Sequence, residues 1–294
     1  MRYEGQIFRP PGEWKSYLLQ CTIGCSHNAC TYCNMYKDKV YRVRPLEEVL
    51  EDINACRMMY GGTFDTVFLC DGDAINLPVD YLLAVLEKLY QVFPNLRRVG
   101  TYAGPRSTAR KTPAELKQLA AAGLTRAYLG VESGDGDLLL ARGKGVNAQQ
   151  MLEAGQALVE AGFDLWAILM TGLAGADPEA SRRNALMSAD IINKMKPRHL
   201  SCMTYMPIPG TPLYRDIEAG KFVVQSSVDS LREMRLLIEH IELDNLHFVS
   251  THSSNYIPIK GTLRQDRDAL VAQLTQIIDS EAGEHLRRTD YRHM

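Results

Sequence analysis

The 294-residue chain contains no run of about 18 consecutive apolar residues, the length a helix needs to cross a bilayer. Its opening, Met1-Arg2-Tyr3-Glu4, has none of the apolar character of a secretory leader, which points to a cytoplasmic protein with no membrane partner. Charge of neither sign dominates: 33 Lys and Arg against 35 Asp and Glu leave a net charge of −2. A broad basic footprint for nucleic acid is therefore excluded. The ten residues His285 to Met294, with three arginines and two histidines, depart from this balance and read as a solvated tail. No low-complexity tract is present, and 46% hydrophobic with 23% charged residues is the composition of a globular protein. The length suits one α/β barrel.

Cysteine is scarce outside one place. Cys21, Cys56, Cys70 and Cys202 are scattered, whereas Cys25, Cys30 and Cys33 stand at spacing C-x4-C-x2-C. In a reducing compartment such a group points to a metal or catalytic site, not a disulfide. Three close thiols can hold a metal, hold an iron–sulfur cluster, or form one disulfide and leave a spare thiol. Three ligands on a four-iron cubane leave one iron open for a small molecule, as the open position of catalytic zinc does. The chain has no second cysteine group to hold an auxiliary cluster. His27, inside the loop, keeps a zinc site open as the alternative, which would make the protein a non-catalytic metal-binding or electron-transfer module.

Around this loop the chain alternates strand and helix. Apolar runs at 17–22, 66–70, 98–102, 127–131, 165–170 and 199–205 read as strands. Helices are expected at about 44–50, 79–92, 112–123, 148–161 and 179–195, the first opening on Arg44-Pro45 with acids in its first turn. Six such units argue for parallel pairing, because each crossover returns the chain to the same end of the sheet. Beyond residue 222 a helix at 228–241, a short strand at 246–249, a polar loop and a last helix at 266–280 are expected. Polar and glycine punctuation falls at the strand ends, at Cys25–Cys33, Asp71–Asp73, Glu132–Gly134, Gly172–Gly175 and Met206-Pro207. In parallel α/β folds the loops at those ends build the active site.

The string from Gly24-Cys25-Ser26-His27-Asn28 to Cys33-Asn34-Met35-Tyr36-Lys37, followed by five further strand–helix units, resembles the radical S-adenosylmethionine (SAM) superfamily. The resemblance covers residues 15 to 215 or so and is nearest to the branch with oxygen-independent coproporphyrinogen oxidase. It implies an α/β fold, a partial (β/α)6 TIM-like barrel over residues 1–222, with an extension, 223–294, packing on the barrel or closing it. It implies a 4Fe–4S cluster on Cys25, Cys30 and Cys33, although the spacing has one residue more than the family's usual C-x3-C-x2-C. Choosing Cys21 instead of Cys33 would remove Tyr32 from its place just before the last cysteine. SAM is expected against Tyr32, Asp71, Gly72, Asp73, Glu132, Ser133, Lys144, Ile168 and Met206. Of these, Asp71–Asp73 would receive the methionine ammonium and Lys144 would face the methionine carboxylate. Tyr32 and Met206 would flank the adenine.

The implied activity is cleavage of SAM to a 5′-deoxyadenosyl radical that takes hydrogen from a small-molecule substrate. An electron donor such as flavodoxin or ferredoxin is the implied partner. His252, Asn255 and Tyr256, in a dense polar string before Pro258, are the candidates for the substrate side. Arg106 is a weaker candidate for an anion contact. Cys70 and Cys202, near strand ends, are expected to be buried thiols without a chemical role.

Overall fold

The computed structural model describes residues 1–280; the basic tail at 285–294 lies outside the described residues. The chain gathers into two compact units. The first comprises Met1–Asn28, Met35–Leu129 and Gln156–Leu165; the second comprises Ala29–Asn34, Gly130–Gly155 and the chain from Trp166 onward.

The first unit begins with a 3-10 turn at Pro11–Glu13 and strand β1 (Tyr17–Gln20). Two short strands, β2 (Thr22–Ile23) and β3 (Arg42–Val43), pair antiparallel and bracket the cysteine loop. Helix α1 (Leu46–Tyr60), β4 (Thr66–Cys70), α2 (Val79–Val92), β5 (Arg98–Ala103), the one-turn helix α3 (Pro105–Thr108), α4 (Pro113–Ala121) and β6 (Leu124–Glu132) follow. Strands β1, β4, β5 and β6 are hydrogen-bonded in that order and are parallel, Tyr17 facing Val67 and Thr66 facing Arg98. β4 is apolar along its length and almost wholly buried, as a parallel strand covered on both faces must be. On α2, Leu82, Val85, Leu86 and Leu89 form the buried stripe at the spacing of one helix face. Thr112 and Glu115 close a capping box at the start of α4, with Pro113 at its first position.

The second unit adds α5 (Gly136–Ala141), α6 (Ala148–Glu160), β7 (Asp164–Thr171), α7 (Pro178–Met195), β8 (His199–Thr204), α8 (Pro212–Glu218), α9 (Ser227–Glu239), β9 (Leu246–Ser250), β10 (Ile259–Leu263) and α10 (Arg267–Ile278). Strands β7, β8 and β9 are parallel, with Trp166 facing His199 and His199 facing His247; β10 returns antiparallel on β9. β7 and β8 alternate strictly between half-buried and buried residues. α9 packs against α7 and α10.

The six expected strands are all present. The structure adds β10 where a polar loop is expected, and three short helices, α3, α5 and α8, directly after strand ends or loop turns. No described helix is long and apolar enough to cross a membrane.

Candidate cofactor site

In the first unit, β1 delivers the chain through β2 to Gly24, whose φ is +76°, and then to Cys25. The turn is held by Asp71 at the end of β4. This carboxylate is completely buried and accepts the Gly24 N–H at 2.7 Å and the Gln20 amide at 3.0 Å. The Lys39 ammonium donates to both of its oxygens, at 3.1 and 3.2 Å, and also to the Gln6 carbonyl at 2.7 Å. Burial raises the carboxyl's pKa above its ordinary value, and the Gly24 N–H and Lys39 oppose that shift. The Gly72 N–H returns a bond to the Gly24 carbonyl at 3.0 Å.

Gly72 has no alternative at this point. A β-carbon there would stand 2.7 Å from the Cys25 β-carbon and 3.0 Å from the Tyr36 ring. The backbone of 71–73 therefore lies directly against the first cysteine. Asp73 is nearly as buried and accepts the Gly104 N–H at 2.9 Å together with the hydroxyls of Ser26 and Ser107. Both carboxylates are thus engaged by protein donors that anchor the cysteine loop. What segment 71–73 retains for a ligand is its backbone.

In the second unit the remainder of the loop, Ala29–Asn34, is pinned at Thr31. Its N–H donates to the Arg142 carbonyl at 3.0 Å, and its carbonyl accepts the Leu213 N–H at 2.9 Å. Tyr32 is buried in an apolar cluster with Leu138, Leu173, Tyr205, Leu213 and Phe222, against which Cys30 and Cys33 pack. Its hydroxyl has no oxygen or nitrogen partner among the described residues. Its phenol pKa is held well up, first by burial and then by the nearby Glu132 and Cys30; a thiol is too weak an acceptor to satisfy it. Glu132, at φ +66°, and Lys144 form an ion pair at 3.0 Å, each side chain 12% exposed. They stand close over Gly130, where a β-carbon would be 2.4 Å from the Glu132 carboxylate, so a side chain there would displace the end of Glu132. Ser133 is fully buried, its hydroxyl donating to Asn184 at 2.5 Å.

Ile168 is half-buried on β7 opposite Ser201, and Met206 is half-buried just beyond β8. Asn255 is buried and braces the end of β8, donating to the Cys202 carbonyl at 2.9 Å and accepting the Thr204 hydroxyl at 3.0 Å. Tyr256 is buried as well. His252 is half-buried; its Nδ1 accepts the Ser254 N–H at 3.1 Å and lies 2.9 Å from the Ser254 hydroxyl. The neutral ring therefore carries its proton on Nε2.

The residues present fit an iron–sulfur cluster on the chemistry of the donor set. Cys25, Cys30 and Cys33 are half-buried, whereas the other four cysteines are buried. Burial pushes the Cys21 thiol up to about 12 and the Cys56 thiol up to about 11, and holds Cys70 and Cys202 well above the ordinary range too. Ligation needs the thiolate, so the scattered cysteines are poor donors. Among the described residues no three His, Cys, Asp or Glu side chains already stand together in metal-holding geometry.

The sequence reading does not single out Lys39, Gln20, Asn184 or Glu233. Lys39 lies among solvent-type residues and has no local signal. Glu233 does have one: it falls among Ser230, Leu231, Met234 and Leu237, the buried face of α9.

The chain belongs to the radical SAM superfamily, whose profile matches residues 19–180, more than half of its length. No curated protein matches it. Among solved structures it resembles coproporphyrinogen III oxidase from Escherichia coli, described as a radical SAM enzyme, at 16% identity and a TM-score of 0.58, over 77% of this chain and 52% of that one. It also resembles Streptococcus suis SuiB bound to S-adenosylmethionine, at 12% identity and TM-score 0.55, over 80% and 50%. HydG, a maturase of FeFe-hydrogenase, matches at 16% and 0.53, over 88% and 54%. This chain thus spans about half the length of these proteins. The likeness carries the fold, the α/β partial barrel expected from the strand–helix pattern.

Two outcomes follow from the site's electrostatics. Lys39→Met strands a buried carboxylate and is expected to cost about 3–5 kcal/mol in urea unfolding of the apoprotein. The double variant Lys39→Met/Asp71→Asn recovers part of that loss; equal stability of the single variant and the parent would contradict the clamp. Burial lowers the His252 pKa below 6.5, so between its folded and unfolded values the unfolded chain binds more protons. Its stabilising contribution is present above pH 6.5 and is lost as pH falls toward the folded value. A proton NMR titration should show one imidazole with a midpoint below 6.5 that disappears in His252→Ala.

Proposed function

We propose that this protein is a radical SAM enzyme in which Cys25, Cys30 and Cys33 bind a 4Fe–4S cluster and the strand-end residues hold SAM. The observation that carries the reading is the contrast between three half-buried thiols in the loop between β2 and β3 and four buried ones elsewhere, in a chain of this superfamily. When bound, these groups supply reductive cleavage of the sulfonium–carbon bond and a 5′-deoxyadenosyl radical able to remove hydrogen from a substrate.

The protein's own residues bind, orient and exclude water. Asp71 and Asp73 fix the path of the cysteine loop, so the backbone of 71–73 is the acceptor we assign to the methionine ammonium. Lys144 offers a point charge for the methionine carboxylate. Glu132, its present partner at 3.0 Å, keeps that ammonium positioned and is itself placed for an ammonium or a ribose hydroxyl. Ser133 supports this strand end through Asn184. Tyr32 and Met206 are assigned to the adenine, with Ile168 on the strand beside it; the orphaned Tyr32 hydroxyl would gain a partner from a ligand. On the substrate side, Asn255 and Tyr256 form the wall that presents His252, whose Nε2 can hold or deliver a proton.

The substrate we assign is a small molecule, and the electron donor a flavodoxin or ferredoxin type protein. The extension from residue 223 is assigned the role of packing on the barrel. The compartment we assign is a reducing one such as the cytoplasm, where a tight group of cysteines like Cys25, Cys30 and Cys33 serves a metal or catalytic site.

The test is anaerobic reconstitution with iron and sulfide. The parent protein should hold about four irons and release 5′-deoxyadenosine on reduction with SAM present. Alanine at Cys25, Cys30 or Cys33 should abolish both, while Cys70→Ala should retain the iron. One zinc and no iron after reconstitution would overturn the reading in favour of a structural metal site.

A further inference from the structure

Glu233 is a carboxylate in the middle of α9, 3% exposed, and its hydrogen-bond partners among the described residues are all neutral donors. Four donors converge on it. The Ser181 hydroxyl reaches it at 2.7 Å, the Gln225 amide at 2.8 Å and the Gly172 N–H at 3.3 Å, all on one oxygen; the Asn184 amide reaches the other at 2.7 Å. Burial pushes its pKa up while these donors pull it back. A buried charge of this kind is costly unless its donors are held in place; here one donor, Gly172, follows β7, two stand on α7 and Gln225 lies just before α9.

Gly172 follows β7 directly with φ +81°. Because its nitrogen faces Glu233, the Asn184 amide must turn its oxygen toward Ser133, which it accepts at 2.5 Å. The same oxygen accepts the Ser188 hydroxyl at 3.3 Å, and Ser188 in turn accepts the Gly134 N–H at 2.8 Å. One carboxylate thereby orders the residues after β6, beginning one position beyond Glu132, and the residue after β7. A cavity of about 10 Å³, lined by Glu132, Thr171, Asn184, Ser188 and Glu233 among others, has room for about one water between them.

We propose that Glu233 is a positioning residue for SAM, setting from α9, through Asn184 and Gly172, the two strand ends on which Glu132 and Thr171 stand. The inference rests on the cofactor reading above and gives the C-terminal region a part in it. Glutamine at this position keeps the shape but not the acceptor set. Its amide nitrogen would face either the Asn184 amide, which must then flip and lose Ser133, or the three donors on the other oxygen.

The experiment compares reconstituted parent protein with Glu233→Gln, Asn184→Ala and Ile238→Ala, the last a buried residue of α9 outside the network. Iron content, melting temperature, the electron paramagnetic resonance signal with and without SAM, and SAM affinity by calorimetry are measured on each. Glu233→Gln and Asn184→Ala should keep their iron and their SAM-free signal. They should bind SAM about tenfold more weakly, the scale of one lost network contact, with a diminished spectral change on SAM addition. Ile238→Ala should melt lower yet bind SAM like the parent.

Parent-like affinity in Glu233→Gln, or affinity losses that follow melting temperature across all three variants, would overturn the positioning role and leave the cofactor reading standing. Absence of SAM binding by the iron-loaded parent would overturn both. Should Glu233→Gln not accumulate as folded protein, Asn184→Ala decides by the same criteria.

Discussion

The first unit's share of the site depends on a single backbone donor, the Gly24 N–H, meeting a carboxylate that has no access to water. Asp71 would not remain charged there on its own; Lys39 and the Gln20 amide make the position tolerable. Gly24 takes its left-handed φ freely, but Asp71, at φ +62°, holds a strained one. Such conformations persist where surrounding bonds over-determine them, and here four polar contacts and the contact of residue 72 with Cys25 do so. The entry to the cysteine loop is therefore a consequence of β4, a strand far from it in sequence, and not of the loop's own residues.

The second unit solves the same problem with other means. Its part of the loop is held by backbone bonds at Thr31 and by the burial of Tyr32. Its charged groups divide into two kinds. Glu132 and Lys144 satisfy one another at the edge of burial, so either could change partner at modest cost. Glu233 is deeper, is met by neutral donors among the described residues, and cannot change partner without moving the elements that supply them. The first arrangement suits residues that meet a ligand, the second suits a frame.

Much of the fold could be read from the sequence because its parallel strands appear as apolar runs, whether almost wholly buried as β4 or half-buried on one face as β7; both are recovered within a residue or two. β10 could not, since Ile259-Lys260-Gly261-Thr262-Leu263 has two apolar residues and acquires strand structure only by pairing with β9. α3, α5 and α8 are too short for a helical period to show. At the candidate site, the three cysteines are singled out by their spacing. Glu132 and Lys144 can be singled out separately, but their pairing brings together residues twelve positions apart, one of them on a left-handed backbone. Asp71 and Asp73 stand where ligand acceptors are expected by resemblance, yet their carboxylates bind protein donors that lie from 31 to 51 residues away or across the loop. Distances of that kind leave no local pattern.

The unequal burial of the cysteines has a bearing on how the protein would age. If Cys25, Cys30 and Cys33 hold a cluster as proposed, its loss would leave these half-buried thiols to oxidants before the four interior ones, which are buried. Damage would thus concentrate in one short segment, at the cysteine side chains and not at the Ser26 and Thr31 bonds that tie it to its surroundings. The rest of the molecule would outlast its own loss of function, leaving a folded protein that reductant, iron and sulfide could restore as long as oxidation had not passed beyond disulfides and sulfenic acids.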